Sequence, residues 1–252
     1  MRLLAIDTTS EYGGTAVYDQ KECLAMVLNS GPASRYAVTL FEMADRALAQ
    51  AGMGFPEIEL YAVSNGPGSF TGIRVGLAAA QGWATAFRRS VKGVNLLEAM
   101  VECARPEGDW AVPVLDARRG EFFTGLYRKI TDTAGPQSGF EAAGPGQLVR
   151  PERLQTMLDE LSQGGQRRTF TGGSIAFLTR THDLKARSLR ESLHQDLLGV
   201  EVPGALLEAI AGVALRAHEQ GGIPSPEELD ACYIRRSDAE MNWQAPAPKA
   251  GN

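Results

Sequence analysis

Apolar and polar positions come in short blocks along this chain, and the blocks read as buried strands separated by turns and amphipathic helices. Leu3-Leu4-Ala5-Ile6 is an apolar run ending in Asp7; Thr8, Thr9 and Ser10 follow, then Gly13-Gly14 and Thr15-Ala16-Val17-Tyr18. Two strands joined by a polar, Gly-bearing turn are expected, with a third over residues 22–28. From Ser34 to Ala51 apolar residues recur at Ala37, Leu40, Phe41, Ala44, Leu48 and Ala51. That is a helical period, with Ser34 placed to cap the start and Gly52 the end. Tyr36, Met43 and Ala47 widen the apolar face beyond what one sheet covers, so this helix is expected to pack on two sides.

The most informative stretch is Gly66-Pro67-Gly68-Ser69-Phe70-Thr71-Gly72-Ile73-Arg74-Val75-Gly76, which comes after the apolar run Leu60-Tyr61-Ala62-Val63. The pattern predicts a buried strand, a tight turn and a helix opening near Thr71. Free N–H groups and the positive dipole end at such a helix start favour an anion. Neither familiar nucleotide loop is present. No Lys occurs between Met53 and Arg89, and Thr71 stands where the dinucleotide fingerprint needs Gly. Within the helix Gly72, Gly76, Ala80 and Ala84 form one small-residue stripe, with Ile73, Leu77, Trp83 and Phe87 around it. Gly costs about 1 kcal/mol in a helix interior, so Gly76 and Gly82 call for a close neighbour. Both a second element of this chain and a partner chain satisfy that need.

Further on, Val91 to Val94 reads as a strand and Leu96 to Ala104 as a helix. Val112-Pro113-Val114-Leu115 then ends in Asp116, passes a polar turn through Arg118, Arg119 and Gly120, and resumes over residues 122–127. Strand, Asp, turn, strand thus occurs twice, at Asp7 and at Asp116, which implies two related halves. Residues 131–147 read as loop or irregular strand. Pro151 opens a helix with Leu154, Met157, Leu158 and Leu161 on one face. Arg168 to Thr171 reads as a strand entering a second Gly turn at 172–174. Leu206, Ile210, Val213, Ala214 and Ala217 mark a late helix, and 231–234 a last short strand.

Composition narrows the function. The chain has 252 residues, 44% hydrophobic and 22% charged, with a net charge of −5. Those are the proportions of an ordinary globular protein, and the acidic balance argues against gripping nucleic acid unaided. Cys23, Cys103 and Cys232 fit neither a disulfide framework nor a zinc spacing. With no signal peptide and no apolar run near the ~20 residues of a membrane span, a cytoplasmic location is expected. His182, His194 and His218 share no ligand spacing. The pairs Arg118-Arg119, Arg167-Arg168 and Arg235-Arg236 read as solvated edges. Asp7, Thr8 and Thr9, with Gly66, Gly68 and Ser69, are candidate phosphate or nucleotide contacts, although the Asp and hydroxyls also suit a self-satisfied turn. No catalytic constellation and no metal site emerge.

Leu3 to Thr8, Gly66 to Gly76 with Ala80-Gln81-Gly82, Asp116 to Glu121 and Tyr233-Ile234-Arg235-Arg236 together resemble the bacterial TsaB (YeaZ) family. The matches run in order to about Arg236. The resemblance implies an α/β, two-lobed actin-like, sugar-kinase-like fold, each lobe a mixed sheet flanked by helices. It places an N-terminal lobe at 1–104, completed by the helix at about 205–220. A second lobe follows at 105–204, a returning helix and last strand at 205–236, and a disordered tail at 237–252. It further implies a non-catalytic subunit in forming N6-threonylcarbamoyladenosine at position 37 of tRNAs reading ANN codons. The implied partners are the TsaD transferase and the ATPase TsaE, with self-pairing when alone and tRNA contact only through the complex. In that family the two N-terminal-lobe helices form a four-helix bundle with TsaD. Mapped here, the interface is Tyr36, Leu40, Met43, Ala47, Gly72, Ile73, Gly76, Leu77, Ala80 and Trp83. A bulky residue at Gly76 or Ala80 is then expected to break the complex and spare the fold.

The catalytic relative carries His-x-x-x-His on its first helix, where this chain has Tyr36 and Leu40, and no His precedes His182. The chain is therefore expected to need no cofactor of its own, with ATP or ADP binding left open. The competing expectation is a stand-alone ATP-dependent kinase or hydrolase of the same fold, using Asp7 or Asp116 on a Mg-bound phosphate. A metallopeptidase is disfavoured by the missing histidine pair.

Overall fold

A computed structural model describes residues 1–130, 139–162, 175–193, 197–222 and 225–235. The expected strand and Gly turn at 168–174, the pair Arg167-Arg168, Arg236, His194 and the tail at 237–252 lie outside the described residues. The first half builds a five-stranded sheet from β1 (Arg2–Asp7), β2 (Gly14–Asp19), β3 (Glu22–Leu28), β4 (Leu60–Gly66) and β5 (Ser90–Asn95), in the order β3-β2-β1-β4-β5. β1, β2 and β3 pair antiparallel, while β1, β4 and β5 pair parallel. Its helices are α1 (Tyr36–Gln50), α2 (Phe70–Phe87) and α3 (Leu96–Ala104).

The second half repeats this plan. β6 (Trp110–Asp116), β7 (Phe122–Thr124), β10 (Gln147–Val149), β11 (Ile175–Arg180) and β12 (Leu197–Val202) lie in the order β10-β7-β6-β11-β12, with the same strand senses. α4 (Pro151–Ser162), α5 (Leu184–Ser192) and α6 (Leu207–Glu219) stand where α1, α2 and α3 stand in the first half. β8 (Tyr127–Ile130) and β9 (Gly139–Ala142) are an inserted hairpin, β8 pairing with β6. Asp7 and Asp116 end the equivalent first strands, so the repeat seen in the sequence is a repeat of architecture.

Five layers result. α1 covers β2 and β3, and α2 covers β4 and β1, on the outer face of the first sheet. α3 and α6 pack on each other between the sheets, α6 against the first sheet and α3 largely against the second. α4 and α5 close the outer face of the second sheet, burying Leu154, Met157, Leu158 and Leu161 as the period of α4 requires. Residues 231–234, where a last strand was expected, form none; they lie in an irregular segment over 229–235. The segment is tied to the sheet instead by Cys232 N–H, which donates to Asn65 O on β4 at 2.8 Å.

Local chemistry sets the helix ends. Ser69 caps α2 by accepting from Gly72 N–H at 3.3 Å, and Asn95 caps α3 by accepting from Leu97 N–H at 2.9 Å. Ser34 does not cap α1, which opens at Tyr36 out of a 3-10 turn over Ala33–Arg35 with no side-chain cap. No helix among the described residues is long and apolar enough to cross a membrane.

The small stripe of α2 faces inward. A Cβ at Gly72 would lie 1.9 Å from Thr8 O, and one at Gly76 would lie 2.3 Å from Thr8 Oγ1. The glycines therefore let α2 rest on the end of β1 at backbone contact, and Thr8 Oγ1 donates to Gly72 O at 2.7 Å. Gly82 differs, since among the described residues outside its own helical turn nothing lies within 4 Å of the Cβ it lacks. The expectation that a bulky residue at Gly76 spares the fold is corrected accordingly. Gly76→Val is predicted to lower stability by about 3 kcal/mol, at the upper end of overpacking costs. Gly82→Ala should raise it by up to ~1 kcal/mol through helix propensity. Urea denaturation of the isolated chain tests both. A neutral Gly76→Val would contradict the packing.

Candidate functional site

The turn after β1 lies at the base of a cleft between the two halves, lined also by the 67–70 loop, the Asp116 to Arg119 turn, Arg180 to Lys185 and the 232–235 segment. Asp7 is fully buried there. Its Oδ1 accepts from Thr9 N–H at 3.0 Å, Thr9 Oγ1 at 2.6 Å and Ser64 Oγ at 2.9 Å. The 67–70 loop is held to this turn by Ser69 N–H donating to Thr9 O at 2.7 Å, and a Cβ at Gly68 would lie 2.6 Å from that oxygen. Gly66 has φ +113, and a Cβ there would lie 2.9 Å from Cys232 O. All six candidate phosphate contacts, Asp7, Thr8, Thr9, Gly66, Gly68 and Ser69, thus come together in one place. Their hydroxyls and backbone are committed largely to one another, which is what a self-satisfied turn does.

Sequence reasoning missed the residue that faces Asp7. Arg180 ends β11 with only 5% exposure. Its Nη2 lies 3.9 Å from Asp7 Oδ2, and its Nη1 donates to Ser10 Oγ at 3.1 Å. Next to it Tyr12 and His182 stack across the cleft, ring centroids 3.5 Å apart at 22°. Burial, and then the Arg180 charge, hold the His182 imidazole below its ordinary pKa, so it stacks as a neutral ring near pH 7. The signal available in sequence was slight: an Asp (Asp183) three residues before Ala186, placed like Ser69 as a helix cap. Asp183 accepts from Ala186 N–H at 2.9 Å and from Asp116 N–H at 2.7 Å.

Asp116, the counterpart of Asp7, is half-buried. Its Oδ1 accepts from Arg118 N–H at 2.7 Å, and Lys185 Nζ lies 3.3 Å from its Oδ2. Arg118 and Arg119 both take left-handed backbone, φ 62 and φ 56, at the cleft mouth. Arg235, expected at a solvated edge, instead donates to Ala117 O at 2.7 Å and pairs with Glu121. The 229–235 segment therefore bridges the halves, since Tyr233 OH accepts from Arg74 Nε at 2.9 Å on α2. His218 sits exposed in the last turn of α6.

The ten residues expected at a helical interface do not line an outer surface. Tyr36, Leu40, Met43 and Ala47 on α1, and Ile73, Leu77, Ala80 and Trp83 on α2, are each no more than 9% exposed. Gly72 and Gly76 lie beneath α2 as well. The physical reasons are the packing of α1 on β2 and β3 and, for α2, the Thr8 contact, which turns the small stripe toward β1. Outward from the same helices point Val38 at 82% and Phe41 at 61% exposure. Phe41 meets Trp83 edge-on at 5.2 Å, and Ala78 and Gly82 are exposed on α2.

Two halves of equal topology, each ending its first strand in Asp at a shared cleft, define an actin-like, sugar-kinase-like protein. YeaZ from Pseudomonas aeruginosa superposes with a TM-score of 0.70 at 22% identity, covering 92% of this chain and 100% of that one. The family model described as TsaD: tRNA N6-adenosine threonylcarbamoyltransferase matches residues 31–222. The tRNA threonylcarbamoyladenosine biosynthesis protein TsaB of Haemophilus influenzae is 32% identical over 176 residues, 68% of this chain and 72% of that protein. TsaB of Bacillus subtilis is 29% identical over 249 residues, 96% of this chain and 98% of that protein. The chain belongs to the TsaB (YeaZ) family of tRNA threonylcarbamoyladenosine biosynthesis proteins.

Tyr36 ties α1 to the site, its hydroxyl donating to Ser10 O at 3.0 Å. Burial, and after it the negative charge of Asp7, push its phenol well above the ordinary tyrosine value. A raised folded-state pKa means that the neutral phenol's contribution is present below the unfolded tyrosine value of about 10 and is lost as pH rises beyond it. Tyr36→Phe should cost about 1 kcal/mol at neutral pH, the worth of one hydrogen bond. Above a pH of about 10 it should lose stability less steeply than the parent chain. Equal slopes in urea titrations would contradict this placement.

Proposed function

We propose that this chain is the non-catalytic subunit that binds and activates the TsaD transferase when N6-threonylcarbamoyladenosine is formed at position 37 of tRNAs reading ANN codons. TsaE joins that complex, and tRNA is reached through it. The observation carrying the proposal is the outer side of α1 and α2, where Val38 and Phe41 on α1 and Ala78 and Gly82 on α2 are exposed and Phe41 meets Trp83 of α2 edge-on. Nothing among the described residues needs a glycine at 82. A helix packed on this face from outside would use the gap, as small residues let backbones approach. The occupant to which we assign the face is TsaD. The TsaD family model spans α1 and α2 of this chain, so TsaD offers an equivalent helix pair and four helices make the bundle. Alone, the chain pairs with a second copy through the same face. Large apolar side chains at the centre of such an interface carry most of the binding energy.

Phe41→Asp and Gly82→Leu should each weaken the complex with TsaD about thirtyfold, the effect of a ~2 kcal/mol hot spot. Both positions are exposed, so Phe41→Asp should leave thermal stability within ~0.5 kcal/mol of the parent chain, while Gly82→Leu should raise it by up to ~1 kcal/mol through helix propensity. Sedimentation velocity of the mixed proteins provides the measurement. Unchanged binding in both variants would place the interface elsewhere.

A further inference from the structure

A strand-end Asp followed by hydroxyls is an arrangement that holds a metal-bound phosphate in other proteins, and here the same position is filled differently. Asp7 Oδ1 is taken by three donors from Thr9 and Ser64. Its Oδ2 has no hydrogen-bond partner among the described residues and faces Arg180 Nη2 across 3.9 Å. Both side chains are at least nine-tenths buried. Among the described residues no group of three His, Cys, Asp or Glu side chains is arranged to hold a metal ion. A divalent ion at Asp7 would have to share a buried space with the positive guanidinium of Arg180, and like charges repel strongly out of water. These residues do not fit a metal–nucleotide site.

We infer that Arg180 is the resident cation of the cleft, standing at Asp7 where a divalent metal would be needed, and that this ion pair latches the two lobes. Arg180 belongs to the second lobe, whereas Asp7 and Ser10 belong to the first, so the pair and the Arg180 to Ser10 bond both cross the cleft. The Tyr12–His182 stack crosses beside them. A buried pair of this kind does not have to add net stability, but removal of one partner leaves the other charge buried and unmatched. Loss of either partner therefore opens the cleft, and loss of both together is milder than the separate losses imply.

The test is a double-mutant cycle on the full chain with Arg180→Met, Asp7→Asn and the double variant, read as urea midpoints. Manganese titrations read by electron paramagnetic resonance, with and without ATP, accompany it. Each single variant should shift the midpoint down, and the double variant should shift it by less than the two shifts summed. Additive shifts would overturn the latch. The parent chain should show no manganese site that depends on Asp7. A site present in the parent chain and abolished by Asp7→Asn would overturn the assignment of Arg180 as resident cation. If Arg180→Met does not fold, Arg180→Lys replaces it in the cycle. The retained charge should then keep part of the coupling, and no coupling between the Arg180→Lys and Asp7→Asn substitutions would again overturn the latch.

Discussion

The contact between Thr8 and the first turns of α2 fixes how that helix sits on the end of β1. One hydroxyl donates to Gly72 O at 2.7 Å, and two glycines bring the helix down onto the end of β1. That contact sets the rotation of α2 about its axis. The small stripe goes inward, while Ala78 and Gly82 go outward. Next to it, Ser69 N–H holds the 67–70 loop to Thr9 O, and Asp7 is fully buried behind them. One close approach thus orients α2 beside the floor of the cleft.

The two halves show how a repeated scaffold diverges by burial. Asp7 and Asp116 occupy equivalent strand ends, yet one is sealed opposite a buried guanidinium and the other is half-open beside Lys185. The equivalent helix starts differ as well. Ser69 caps α2 over a Gly-rich loop, whereas Asp183 caps α5 and reaches back to Asp116 N–H. Function lives in such local differences rather than in the shared topology.

Much of the fold was legible in the sequence. The periods of α1, α2, α3, α4 and α6, and the strands ending in Asp7 and Asp116, came from apolar spacing alone. What spacing cannot give is the side on which a small stripe packs. Gly76 and Gly82 violate helix propensity equally, and only the position of Thr8 tells which one the chain itself requires. The family resemblance assigns Tyr36, Leu40 and Trp83 to a partner, and apolar spacing cannot correct that, because an apolar residue beneath a helix and one outside it read alike. Arg180 was invisible for a different reason. It is far from Asp7 along the chain, on a strand whose only local mark is an apolar run broken by Thr179, and long-range charge pairing leaves no periodic trace.

The central claim is that this chain supports threonylcarbamoyl transfer without performing it. Its most direct test is an omission assay: TsaD, TsaE, threonylcarbamoyl-adenylate, ATP and tRNA are combined with and without this chain, and modified adenosine is quantified. Product is predicted only when the chain is present, and none from the chain alone. Equal product with and without it, or modification by the chain in the absence of TsaD, would contradict the claim.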